Sequence, residues 1–170
     1  VWNDFQEKKN TVVPTSFDVP SDLKVVAITG PNTVGKTVAL KSIGLAVLMA
    51  KAGILLPCTG SPRLPWCKNV LADIGDEQSL QQNLSTFSGH ILRISRILDA
   101  IASSDGTTLV LLDEVGAGTD PTEGTALAMA LLKIMADRAR LTIATTHFGE
   151  LKSLKYSDSR FENASVSFDS

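Results

Sequence analysis

Eight consecutive residues, Gly30-Pro-Asn-Thr-Val-Gly-Lys-Thr37, satisfy the pattern G-x-x-x-x-G-K-[ST] at every fixed position. Glycines allow a turn so tight that successive backbone N–H groups point inward onto phosphate oxygens. A helix that starts there adds the partial positive charge of its N-terminus. In such a loop the Lys36 ammonium reaches the β- and γ-phosphates and the Thr37 hydroxyl holds Mg²⁺. Gly30, Pro31, Asn32, Thr33, Val34, Gly35, Lys36 and Thr37 are therefore the candidate nucleotide-binding residues, with Lys36 also a catalytic candidate.

Two further points along the chain carry compatible chemistry. Asp113 ends the apolar run Leu109-Val-Leu-Leu112, where a Walker B aspartate holds Mg²⁺ through water. Glu114 follows directly, and a carboxylate there can orient the water that attacks a γ-phosphate or take its proton. An acidic strand end facing solvent is the plain alternative, and the phosphate loop earlier in the chain argues against it. His147 stands where Leu141-Thr-Ile-Ala-Thr-Thr146 runs out. In open α/β sheets ligands gather at the carboxyl ends of strands, so His147 is expected to touch the γ-phosphate. His90 has no such context and reads as structural.

These residues need strands and helices in alternation to position them. Val25-Val-Ala-Ile-Thr29 is a continuous apolar run of the kind found in buried parallel strands. Lys36 to Ala52 reads as a helix, apolar on most sides (Val38, Leu40, Ile43, Val47, Leu48) and hence buried, with Gly53 as its cap. A loop-rich stretch leads to a short strand, Val70–Ile74. From Ser85 to Ser103, Phe87, Ile91, Ile94, Leu98 and Ile101 recur at helical spacing, and Ser85 reads as the N-cap. Asp120-Pro-Thr-Glu123 opens another helix as a capping box, with a core face of Leu127, Ala130, Leu131 and Ile134. Asn163 to Phe168 is strand-like. The pattern predicts an α/β fold with a mainly parallel sheet. Residues 1–20 are a polar lead-in, β-like around Val12-Val13-Pro14, expected to pack beside the nucleotide.

The 170 residues suit a single domain, 44% hydrophobic and 20% charged. Lys and Arg number 16 against 18 Asp and Glu, a formal net charge of −2. A domain that gripped nucleic acid chiefly through phosphates would be basic, so DNA contact is expected from domains outside this chain. No apolar run reaches membrane-spanning length, and no membrane partner is expected. The chain starts at Val1 and stops inside a strand-like stretch, and it reads as a piece of a longer protein whose compartment is left open. Cys58 and Cys67 are expected as free thiols, as in the reducing interior of cells.

The blocks Gly30-Pro-Asn, Ser85-Thr-Phe87, Asp113-Glu-Val-Gly-Ala-Gly-Thr119 and Thr146-His147 resemble, in order and spacing, the ATPase domain of the MutS family, a branch of the ABC-type P-loop ATPases. The resemblance covers the chain from about Val12. Gly118-Thr-Asp-Pro-Thr-Glu-Gly124 and His147-Phe-Gly-Glu-Leu-Lys152 look like the second branch, which lacks a mismatch-recognition domain. The mismatch-repair branch carries Ser-Thr-Tyr-Asp-Gly after the same Gly-Thr.

The resemblance implies an ABC-type core that is C-terminally truncated here. It implies a homodimer of the full-length protein with ATP between subunits. Ser85 matches the serine that reaches the partner's γ-phosphate, and Gly116 to Asp120 match the loop that crosses the interface. It also implies a parent protein acting, through other domains, on branched or mismatched DNA or recombination intermediates, or alternatively on stalled ribosomes. The chain departs at Val34, where the family usually has glycine, and its lead-in lacks the aromatic that stacks on adenine in mismatch-repair members. A transporter ATPase would need a Leu-Ser-Gly-Gly-Gln signature, and only Leu84-Ser-Thr-Phe-Ser-Gly89 is present. A nucleotide-gated clamp with negligible turnover is a second alternative, against which Glu114 argues. No Asn-Lys-x-Asp motif suggests guanine.

Overall fold

A computed structural model describes residues 14–30, 35–75 and 87–165. Within them the order is β1 (Val25–Thr29), α1 (Lys36–Lys51), β2 (Asn69–Asp73), α2 (Phe87–Ala102), β3 (Thr108–Leu112), α3 (Pro121–Arg138) and β4 (Leu141–Thr146). A 3₁₀ turn (Gly149–Ser153), the short α4 (Leu154–Ser157) and β5 (Phe161–Ser165) complete it. The strands form one sheet in the order β2-β3-β4-β1-β5, and every pairing is parallel. The expected α/β architecture with a parallel sheet is present, and it is compatible with a P-loop NTPase.

Parallel strands covered by helices on both faces have no polar side to show, and β1, β3 and β4 are buried at every position. Their alternating side chains divide the core in two. Leu109, Leu111, Ile143, Val26 and Ile28 point to one face and pack with Leu40 and Val47 of α1. Val110, Leu112, Ala144 and Val25 point to the other and meet α2, α3 and the residues around Leu151 and Leu154. Gly44 lets α1 lie close on the sheet, since a Cβ there would come within 2.5 Å of Leu111 Cδ1.

Helix ends follow their local chemistry. α1 closes with Gly53 N–H donating to Ala50 O and Ile54 N–H to Met49 O, the paired bonds of a Schellman motif. Asp120 caps α3, accepting from the amides of Thr122 at 2.9 Å and Glu123 at 3.2 Å.

Two expectations about faces are corrected. Helix α1 is not buried all round: Val38 is 66% exposed, and Leu45 and Leu48 are also in the open. The apolar composition hid which side meets the sheet, because a helix lying on one sheet face covers only one stripe of itself. In α3, Leu131 is buried as expected and Leu127 partly so, whereas Ala130 and Ile134 are exposed. The inward stripe is Ala128, Leu132, Met135 and Ala136 instead. Several apolar stripes compete on this helix, and packing on β4 and β1 chooses between them. In α2, Ile94 and Ile101 are core residues as expected, joined by Ile97.

Cys58 is exposed and Cys67 buried, both as free thiols. Among the described residues no helix is long and apolar enough to cross a membrane. Residues 14–20 run without regular structure. The lead-in at Val12 and Val13, and the end of the stretch expected as a strand to Phe168, lie outside the described residues.

Candidate functional site

Because all five strands run the same way, their carboxyl ends share one rim. Register sets Thr29 beside Thr146, and Leu112 beside Ala144. Gly30, Asp73, Asp113 and His147 therefore leave the sheet along a single edge.

Gly35 is the residue before α1 and sits at φ 73°, a left-handed turn that favours glycine. The turn brings Lys36 and Thr37 in at the helix N-terminus. Lys36 is only 3% exposed. Its ammonium donates to Gly30 O, just past β1, and to Thr146 O at 3.2 Å, the last residue of β4. Burial lowers its pKa, and the charges of Glu114 and Asp113 act in the opposite direction. The cation is thus buried within reach of two carboxylates and two strand-end carbonyls.

Asp113 is 6% exposed and Glu114 half-buried. Between them stands Thr145, wholly buried on the neighbouring strand. Its hydroxyl donates to Asp113 Oδ1 and accepts from the Glu114 backbone N–H at 2.8 Å. The next amide, Val115 N–H, donates to Thr145 O at 3.0 Å. Glu114 has φ 51°, and among the described residues it alone holds a positive φ without being glycine.

Magnesium suits this donor set. It is generally held by one or two carboxylates together with substrate phosphates and water, rather than by an all-protein cage. Asp113 would supply the carboxylate and Thr37, half-buried at the start of α1, the hydroxyl. Among the described residues there is no cluster of three His, Cys, Asp or Glu that would form a cage instead.

His147 leaves the end of β4 exposed, its ring tilted against Phe148 with centroids 4.2 Å apart. The rim thus gathers Gly30, Gly35, Lys36, Thr37, Asp113, Glu114 and His147. Pro31, Asn32, Thr33, Val34 and Ser85 lie outside the described residues.

Sequence reasoning missed two features. One is Thr145, which resembles any other polar residue at a strand end. The other is a charged cluster on the cleft between β2, β3 and α2. Asp73, 2% exposed at the end of β2, accepts from Arg93 Nε and lies 2.8 Å from His90 Nδ1. The Asp73 carbonyl also accepts from Asp113 N–H at 2.8 Å. His90, read from the sequence as merely structural, joins this ion pair and lines the same cleft as Glu114 and Gly116. A carboxylate and a histidine 17 residues apart give no sequence signal. Only the packing of α2 on β2 brings them together.

Residues 26–170 match the family described as MutS domain V. Among curated proteins, the chain is 58% identical to "Endonuclease MutS2" of Synechocystis sp., over 99% of this chain and 22% of that protein. It is 56% identical to the protein of the same name from Symbiobacterium thermophilum, over 95% of this chain and 20% of the relative. The match in Halothermothrix orenii is 54% identical, over 92% and 20%. The chain spans about a fifth of the length of these relatives.

Proposed function

This chain belongs to the MutS domain V family, on the branch of the MutS2 proteins, and from that premise we propose that it binds ATP with Mg²⁺ and hydrolyses it to ADP and phosphate. The observation that carries the reading is the buried Lys36 ammonium at the joint end of β1 and β4, facing Asp113 and Glu114. In this reading residues 30–37 wrap the phosphates and Lys36 draws charge from the β- and γ-oxygens. Thr37 and Asp113 would hold Mg²⁺, which would neutralise charge developing on the phosphates. Glu114 orients water in line with the γ-phosphorus and accepts its proton as the bond to the ADP oxygen breaks. His147, exposed at the rim, contacts the γ-phosphate.

The wider reading is a single ABC-type ATPase domain over residues 1–170, with the lead-in near the nucleotide. ATP lies between two copies in the full-length protein, and Ser85 of each acts on the other's γ-phosphate. The family resemblance supports this. The relatives' name, Endonuclease MutS2, supports a parent that processes DNA, through domains beyond this chain. The chain's net charge of −2 agrees with DNA contact lying elsewhere.

Isothermal titration of the full-length protein with ATP and Mg²⁺ tests the core of the reading. Lys36→Ala should weaken binding severely. Glu114→Gln should keep it while phosphate release falls by about 10²-fold, the scale of losing a general base. Equal affinity of wild type and Lys36→Ala would overturn the assignment.

A further inference from the structure

Three consecutive groups after β3 are held by one residue of β4. Thr145 Oγ1 donates to the Asp113 carboxylate, the same oxygen accepts from Glu114 N–H, and Thr145 O accepts from Val115 N–H. A hydroxyl has one proton to give and lone pairs to receive, so these two bonds give it a definite direction. Because Thr145 is completely buried, water does not compete for it. The residue between the anchors is Glu114 at φ 51°. A side chain there crowds its own backbone, and such a conformation persists only where surrounding contacts hold it. Its amide is held by Thr145.

We propose that Thr145 is a positioning residue that sets the Asp113 carboxylate and the Glu114 backbone in one fixed relation, and so aims the Glu114 side chain for hydrolysis. Thr145 touches neither nucleotide nor water in this assignment. It acts through its two neighbours across the strands. The inference rests on the ATPase reading above, in which Glu114 orients the attacking water. It adds that nucleotide binding, which depends on residues 30–37, is separable from the aim of that carboxylate. A displacement of about 1 Å at a reacting group can cost about 10²-fold in rate.

The test compares Thr145→Val, which keeps the shape and removes the hydroxyl, with Thr145→Ser, which keeps the hydroxyl. Both are made in the full-length protein beside Glu114→Gln. For Thr145→Val, single-turnover hydrolysis should fall by about 10²-fold. The ATP Kd from calorimetry should stay within about threefold of wild type, since residues that act through other groups leave ground-state binding intact, while the thermal midpoint should fall, because the buried Asp113 oxygen and the Glu114 N–H each lose a partner. Thr145→Ser should recover most of the rate. In the Glu114→Gln background, Thr145→Val should add little further loss, because coupled residues are not additive.

Wild-type hydrolysis by Thr145→Val, or a Thr145→Ser as slow as Thr145→Val, overturns the proposal while leaving the ATPase reading intact. Wild-type hydrolysis by Glu114→Gln overturns the reading itself. Should Thr145→Val fail to fold, Thr145→Ala measured against Thr145→Ser separates the same two outcomes.

Discussion

Gly116 and Gly124 stand back to back. A Cβ on Gly116 would come within 2.4 Å of Gly124 O, and one on Gly124 within 2.3 Å of Gly116 O. The contact fastens the loop after Glu114 to the first turns of α3. Helix propensity alone favours alanine over glycine inside a helix by about 1 kcal/mol, so Gly124→Ala should stabilise if nothing else mattered. Backbone cannot step aside as a side chain can, and the clash decides the sign. Gly124→Ala should lower stability by about 2 kcal/mol, within the range of steric strain at special positions. Gly116→Ala adds the strain of φ 84°. Chemical denaturation of the full-length protein reads both; a rise in the Gly124→Ala midpoint would show that the loop gives way.

The Asp73–Arg93 pair should respond unequally to loss of either partner. Arg93 is 40% exposed and Asp73 only 2%. Asp73→Asn leaves a guanidinium that water can still solvate. Arg93→Ala leaves a buried carboxylate with the His90 ring beside it, and an under-paired buried charge is costly. Arg93→Ala should therefore destabilise by about 2 kcal/mol and Asp73→Asn by half of that or less, after allowing for Arg93's contact with solvent. Equal losses in parallel urea titrations would contradict this asymmetry.

A mixture of two inactive proteins tests the shared site. Full-length Ser85→Ala and Lys36→Ala chains, combined as heterodimers verified by light scattering, contain one composite site with Lys36 and Ser85 both intact and one with both lost. Hydrolysis should return to a measurable fraction of wild type. Heterodimers without activity would overturn the reading that Ser85 acts on the partner's nucleotide.

Acid should unfold the protein partly through Asp158. Hydrogen bonds from the Arg160 side chain hold its carboxyl at about 2, below the ordinary 3.8. The folded state therefore favours the ionised form, and the stabilisation is fully present above pH 4 or so. It fades as pH falls towards 2. The stability gap between wild type and Asp158→Asn should close over that window when thermal midpoints are taken at successive pH values. A constant gap would assign the effect to packing rather than charge.

The parts of this site written in consecutive residues were legible without coordinates. The candidate phosphate loop stands out because such chemistry needs fixed types at fixed local spacing, and Asp113-Glu114 because an apolar strand must end before charge begins. The strand alternation told the fold class for the same local reason. What stayed hidden depends on register between distant strands. Thr145 meets Asp113 only because β4 lies beside β3, and His90 meets Asp73 only because α2 crosses β2. The faces of α1 and α3 were misread where apolar residues lie on several sides, so composition could not say which stripe the sheet would cover. The similarity to known proteins bears out the family and the MutS2 branch, since the matching blocks are contiguous stretches of sequence.

The uniform direction of the strands also has a practical side. With the candidate site residues collected at one rim, the opposite rim carries, among the described residues, connections such as residues 103–107 between α2 and β3. That turn is exposed or half-exposed, held by Lys68 N–H on Thr107 O at 2.7 Å and by a surface ion pair from Lys68 to Asp105. It lies a full strand length from Asp113. A fluorescent protein or affinity tag spliced between Ser104 and Gly106 would ride on the far side of the sheet and leave the rim of Lys36 and Asp113 untouched. The fold thus offers a handle for following the domain without reaching into the rim proposed for its chemistry.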